Sequence, residues 1–216
     1  MNRYLADIGK ETNESVGNAK FNPGYYLNKH RKRNENAILL SAVAVSDVIE
    51  VCKKLTPKSS TDSSGFKQSI VLQDADIIAH VITHLANCSI KEGICPSNSK
   101  LARVIPIYKQ KGSKHSYENY RPISLLATFS KILERLIFNK VFDFLVRYEI
   151  LFKSQYGFRQ GHSTLHATID FVKSIEDAIN GNEYAIGVFC DLSKAFDTIN
   201  HQILIQQGRI HGISRS

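Results

Sequence analysis

Asp191 follows the run Tyr184-Ala185-Ile186-Gly187-Val188-Phe189-Cys190, which is almost wholly apolar. Such a run suits a strand buried on both faces. A carboxylate at its end needs a reason to be there, because an ionised group taken out of water must be paired, hydrogen-bonded or metal-bound. At a strand terminus it stays partly open, and magnesium for phosphate chemistry takes one or two carboxylates together with substrate phosphates and water. A lone strand-end Asp often only caps the next turn, so the weight falls on the whole nonapeptide Phe189-Cys190-Asp191-Leu192-Ser193-Lys194-Ala195-Phe196-Asp197. A second chemical group is basic: Lys109-Gln110-Lys111-Gly112-Ser113-Lys114, with Arg121 beyond it. A guanidinium fork and a compact ammonium both suit phosphate oxygens. His80, His84 and Cys88 stand four apart and share a helix face that suits zinc, with Cys95 as a fourth ligand. They lack the Glu of a His-Glu-x-x-His motif, and structural or solvent-facing roles are the favoured reading. Asp74 and Asp76 read as helix-face charges.

The chain has 216 residues, 43% of them hydrophobic, which is enough for a real core. Its formal charge of +8 favours polyanionic partners, nucleic acid first. No apolar run reaches the length of a membrane span. Met1-Asn2-Arg3-Tyr4 opens no hydrophobic signal segment, so an intracellular chain, nuclear or cytoplasmic, is expected. Cys52, Cys88, Cys95 and Cys190 show no framework spacing and read as free thiols.

The elements that must position these groups follow from periodicity. Residues 1–45 are polar and hold the basic run Lys29-His30-Arg31-Lys32-Arg33, a nuclear signal, a nucleic-acid contact or a solvated linker patch. A helix is expected from Ser46, capped by it, with Val48, Val51, Cys52 and Leu55 inward and Pro57 as its stop. A second helix is predicted over 70–89, its stripe formed by Ile70, Ile77, Ile78, Val81, Ile82 and Leu85. Arg103 to Tyr108 reads as an edge strand because of Pro106, with a returning strand near Tyr120-Arg121-Pro122-Ile123. A long helix is predicted from Thr128 to Arg147, with Ile132, Leu133, Leu136, Ile137, Val141, Phe144 and Leu145 inward. Another runs over 163–179, ended by Asn180-Gly181. The fold class is α+β, mostly helical with a small unfinished sheet. Three regions are expected: a basic linker (1–45), a helical region (46–100) and a larger domain (101–216).

The nonapeptide with Thr198-Ile199 resembles motif A of reverse transcriptases from non-LTR retrotransposons, the jockey-like LINE class. Ala102 to Lys109, followed by Asn119 to Leu126 and Ser130 to Arg135, resembles that family's first fingers block. Gln155-Tyr156-Gly157-Phe158-Arg159-Gln160-Gly161-His162-Ser163-Thr164 is similar to the next block, and Asn2 to Gly9 to the segment preceding the polymerase. The resemblance implies the fingers and incomplete palm of a right-hand polymerase. Its partners would be an RNA template, a DNA primer and a dNTP, and its cofactor Mg²⁺.

Carried over by position, Asp191 would be the catalytic metal ligand, with the Leu192 carbonyl beside it. Phe196 would be the steric gate against a ribose 2′-hydroxyl; its alternative is a core Phe. Lys109 and Arg121 would hold the triphosphate; for Lys109 the alternative is a solvated loop lysine. Gln155, Gly157, Phe158 and Arg159 would hold the template, while core anchoring by Tyr156 and Phe158 stays open. The family also needs an Asp-Asp pair, and no two consecutive aspartates occur here. The reading is therefore a polymerase portion that is inactive by itself, against a non-catalytic nucleic-acid-binding module or a decayed mobile-element fragment.

Overall fold

The computed structural model describes residues 36–57, 61–62, 65–192, 195–196 and 199–213. The Asn2–Gly9 segment and the basic run 29–33 lie outside the described residues. Two units divide the chain: Met1–Phe144 with Asp197–Ser216, and Leu145–Phe196.

The first unit is built on α1 (Val45–Lys54), α2 (Gln68–Gln73), α3 (Ala75–Glu92) and most of α4 (Thr128–Arg147). Helix α1 begins one residue before Ser46, which is therefore not its cap. The cap is Ala44, whose N–H donates to the Asp47 carboxylate at 3.0 Å. Val48, Val51 and Cys52 are buried as expected, and burial pushes the Cys52 thiol upward from its usual range. All four cysteines are unpaired.

The predicted 70–89 helix is broken at Asp74, and its buried face is rotated from the expected one. Ala79, Ile82, Thr83 and Ala86 face the core, whereas Ile70, Ile77, Val81 and Leu85 are exposed. Two stripes of α3 have helical spacing. The one with alanines lets α1 approach closely, and close packing decides between them. Helix α4 spans the predicted residues, with Ile132, Leu133, Leu136 and Phe144 buried. The core thus joins α1, α3 and α4. Each fully buried side chain such as Ile132 or Val48 contributes about 1.5–3 kcal/mol.

Polar ties hold this frame. Asn87 accepts from the Val43 N–H (2.7 Å) and donates to the Val43 carbonyl (3.0 Å). Buried Gln68 donates to the Thr56 carbonyl (2.8 Å) and accepts from Lys131 (3.1 Å). The Asp62 carboxylate accepts from both the Thr128 N–H (2.8 Å) and the Thr128 hydroxyl (2.9 Å), which caps α4 from a distant loop. A last helix, α6 (His201–Ile210), is capped by Asn200, whose side chain accepts from Gln202 N (2.9 Å) and Ile203 N (3.3 Å). After it, Gly212 (φ +86°) accepts from Ile38 N at 2.9 Å. A Cβ there would stand 1.9 Å from the Asn36 carbonyl oxygen, so only glycine fits.

Strands β1 (Ala102–Tyr108) and β2 (Tyr120–Leu126) form the antiparallel hairpin predicted for this region. Pro106 stands opposite Pro122. Lys109 N donates to the Asn119 carbonyl (2.7 Å), so hydrogen-bonded pairs fall at odd positions of β1. The proline pair therefore occupies a non-hydrogen-bonded position and costs the hairpin no internal bond.

In the second unit, α5 (Thr164–Asn180) starts at the expected cap, Ser163. Its end differs from the expected glycine geometry: Gly181 has φ −78°, and the left-handed residue is Asn182 (φ +58°). The predicted strand 184–190 is a correction. These residues form no strand and are exposed, Tyr184 fully and Phe189 at 83%. A buried strand needs ladder partners on both sides, and the sheet among the described residues contains only β1 and β2. The α+β class stands, with helices dominating a two-stranded sheet.

Candidate functional site

The hairpin of the first unit positions the basic candidates. Strand alternation places Lys109, Ile107, Ile105 and Arg103 on one face with Arg121, Ile123 and Leu125. Arg121 lies directly opposite Ile107, so Lys109 is its diagonal neighbour on that face. The two residues expected to act on one phosphate chain are thus brought to the same end of the same face.

The connecting loop has a defined shape. The Tyr108 hydroxyl donates to the Gly112 carbonyl (2.5 Å) and the Tyr120 hydroxyl to the Lys114 carbonyl (3.0 Å). Asn119 donates to the Ser113 carbonyl (2.8 Å). Gly112 (φ +80°) has Asn119 packed where a Cβ would be, at 2.5 Å. Lys109 Nζ donates to the Glu118 carbonyl (2.6 Å), and Lys114 Nζ lies 5.8 Å from the Tyr108 ring centroid. Four cations, Lys109, Lys111, Lys114 and Arg121, are exposed on this end of the hairpin. Sequence reasoning found the lysines but not the tyrosine–asparagine frame beneath them. The signal was available: Tyr108 and Tyr120 bracket the loop as a cross-strand pair, with rings 5.5 Å apart.

The second unit holds the other candidates. Gln155 Nε2 donates to the Gly157 carbonyl (3.2 Å), and Arg159 Nη1 to the Phe152 carbonyl (3.3 Å). These bonds fix the loop that exposes Phe158, a non-glycine residue at φ +58°. Phe158 (84% exposed) meets Phe196 (75% exposed) edge-on, ring centroids 6.0 Å apart. Neither ring is a core anchor. Tyr156 donates to the Asp170 carboxylate, which sequence reasoning missed. That hydrogen bond, with partial desolvation and the nearby negative charge, holds the Tyr156 phenol above the usual tyrosine range. Phe189 packs edge-on against Phe171 of α5 at 5.4 Å.

Asp191 and Leu192 are exposed and follow the unpaired segment rather than a buried strand. Their carboxylate and carbonyl are the hard oxygen donors that magnesium takes. They supply too few donors for a two-metal site, and no group of three metal-binding side chains gathers among the described residues. On α3, His84 Nε2 and Cys88 Sγ are 3.7 Å apart. No described helix is long and apolar enough to cross a membrane.

Residues 109–215 match the family model described as reverse transcriptase (RNA-dependent DNA polymerase). The chain is 33% identical over 171 residues to a probable RNA-directed DNA polymerase from transposon BS of Drosophila melanogaster, covering 78% of this chain and 18% of that protein. It is 30% identical over 173 residues to the RNA-directed DNA polymerase from mobile element jockey of the same fly, covering 79% and 19%. It is 33% identical over 129 residues to a probable RNA-directed DNA polymerase from transposon X-element, covering 58% and 14%. The chain spans less than a fifth of the length of these curated relatives.

Proposed function

Because this chain belongs to the reverse transcriptases of non-LTR retrotransposons, we propose that residues 101–216 serve as the fingers and the beginning of the palm of an RNA-directed DNA polymerase. The observation that carries the reading is the convergence of Lys109 and Arg121 on one face of the hairpin, at the start of the matched region. In this reading the two cations neutralise and orient the triphosphate of an incoming dNTP. Gln155, Gly157, Phe158 and Arg159 border the template, and Phe196 excludes a ribose 2′-hydroxyl. Asp191, with the Leu192 carbonyl, contributes ligands for Mg²⁺, which when bound stabilises charge on the transferring phosphoryl group. Residues 46–100 form a helical platform leading into the polymerase, and 1–45 a basic linker.

The test extends this chain with the downstream polymerase segment of the jockey relative and measures dNTP incorporation on a primed RNA. Asp191→Asn should reduce incorporation roughly 100- to 1000-fold, the several kcal/mol that a metal ligand controls. Incorporation unchanged by Asn at 191 overturns the assignment.

A second reading is a nucleic-acid-binding module without catalysis. It is favoured by the contrast between the framed, basic hairpin loop and the exposed, unpaired segment before Asp191. Salt-dependent RNA binding by the 216-residue chain, with no incorporation by the extended protein, would select it.

A further inference from the structure

Helix α3 turns its alanine stripe to the core and leaves an outward face unlike that of an ordinary surface helix. Ile77 (75% exposed), Val81 (60%) and Leu85 (43%) lie there, opposite buried Ala79, Ile82 and Ala86. At 100° per residue, His84 and Cys88 fall on the same outward side of the helix. Their Nε2 and Sγ atoms are 3.7 Å apart. Two ligands of one tetrahedral zinc, with bonds of about 2.0–2.1 Å to nitrogen and 2.3 Å to sulfur, stand roughly 3.6 Å from each other. The pair already has the spacing of two zinc ligands, and the 18-residue helix holds it there.

We propose that His84 and Cys88 are half of a zinc-class metal site, completed by the same pair from a second copy of this chain. The coordination number of the ion argues for the second copy. A structural zinc takes four protein ligands, and no group of three His, Cys, Asp or Glu side chains gathers among the described residues. A symmetric copy supplies the missing histidine and thiolate from the identical patch, giving a Cys₂His₂ set. It also covers Ile77, Val81 and Leu85, which flank the pair. On binding, each Cys88 thiol loses its proton to solvent as the metal–sulfur bond forms, so two protons leave per ion and nothing is oxidised or reduced. The site is separate from the polymerase reading and survives its failure.

The test uses the purified 216-residue chain with a non-thiol reductant. Light scattering follows the mass as zinc is added, and cobalt is the spectroscopic probe. Zinc should convert single chains to pairs at one ion per two chains, and cobalt should show thiolate-to-metal charge transfer. His84→Ala and Cys88→Ser should lose both signals with unchanged helical circular dichroism, whereas Cys95→Ser should keep both. Cys88→Ser is nearly isosteric, so it decides the matter if His84→Ala fails to fold. A parent protein that stays a single chain at saturating zinc overturns the proposal. So does a cobalt spectrum without a thiolate band, or one that persists in Cys88→Ser.

Discussion

In the second reading, that of a nucleic-acid-binding module, the lysine loop of the hairpin makes a quantitative prediction about RNA binding. Lys109, Lys111, Lys114 and Arg121 are exposed at one end, and two tyrosine hydroxyls with Asn119 frame the loop that carries them. Each cation that neutralises a phosphate of single-stranded RNA adds about −0.7 to the slope of log K against log salt. Four such contacts give about −3 from this site alone, and the other basic residues of the +8 chain add to it. The difference between parent and variant isolates the loop. Lys111→Gln with Lys114→Gln removes two cations and no backbone-fixing bond, so the slope should become shallower by about 1.4. Between 50 and 200 mM salt the parent's loop contribution falls roughly 50-fold, and the variant's roughly 7-fold. Fluorescence anisotropy of a labelled single-stranded RNA at four or more salt concentrations measures both slopes. A variant slope equal to the parent's would refute the placement of RNA phosphates on this loop. Weaker binding at an unchanged slope would refute it too, because it would point to a lost shape contact rather than lost charge.

Further predictions concern the frame around the site. Asp62→Ala removes the long-range cap of α4 and leaves the Thr128 N–H and hydroxyl, 2% exposed, without that acceptor. The cost should be about 3 kcal/mol, with Asp62→Asn nearer 1, read from urea unfolding midpoints; a loss under 0.5 kcal/mol would contradict the capping role. The phenol of Tyr156 is held protonated above its ordinary range by Asp170. Its stabilisation should therefore be intact below pH ~10 and fade as pH rises through the raised folded value, so the stability gap between parent and Tyr156→Phe should close at high pH. A gap that widens there would reverse the sign and sink the account. Gly212→Ala places a Cβ against the Asn36 carbonyl at positive φ and should cost about 2 kcal/mol. Exchange of the Ile38 amide hydrogen, which donates to Gly212, should accelerate; unchanged protection would show that the contact is not formed in solution.

Local periodicity made much of the fold legible. Helix α4 follows its pattern closely through inward Ile132, Leu133, Leu136 and Phe144, and the hairpin through the pairing of two strands close in sequence. The shared face of Lys109 and Arg121 follows from strand alternation once the two strands pair. Helix α3 was harder, since two of its stripes are apolar and the choice between them depends on how closely α1 can approach Ala79 and Ala86. Residues 184–190 have strand composition, but a strand exists only with partners, and composition does not supply them. The Phe158–Phe196 contact joins positions 38 apart and depends on a left-handed Phe158 that its residue type does not announce. Asp62 reaching Thr128 across 66 residues is non-local in the same way.

The paired prolines of the hairpin also limit what the ribbon can recruit. At a non-hydrogen-bonded position the backbone nitrogens of both residues point away from the partner strand. Pro106 and Pro122 therefore remove the central outward donor from each side of the ribbon at once. A neighbouring chain that tried to add a strand on either side would lose a bond in the middle of its ladder. Ile105, Ile107 and Ile123 can then stay at the surface without seeding strand-by-strand aggregation.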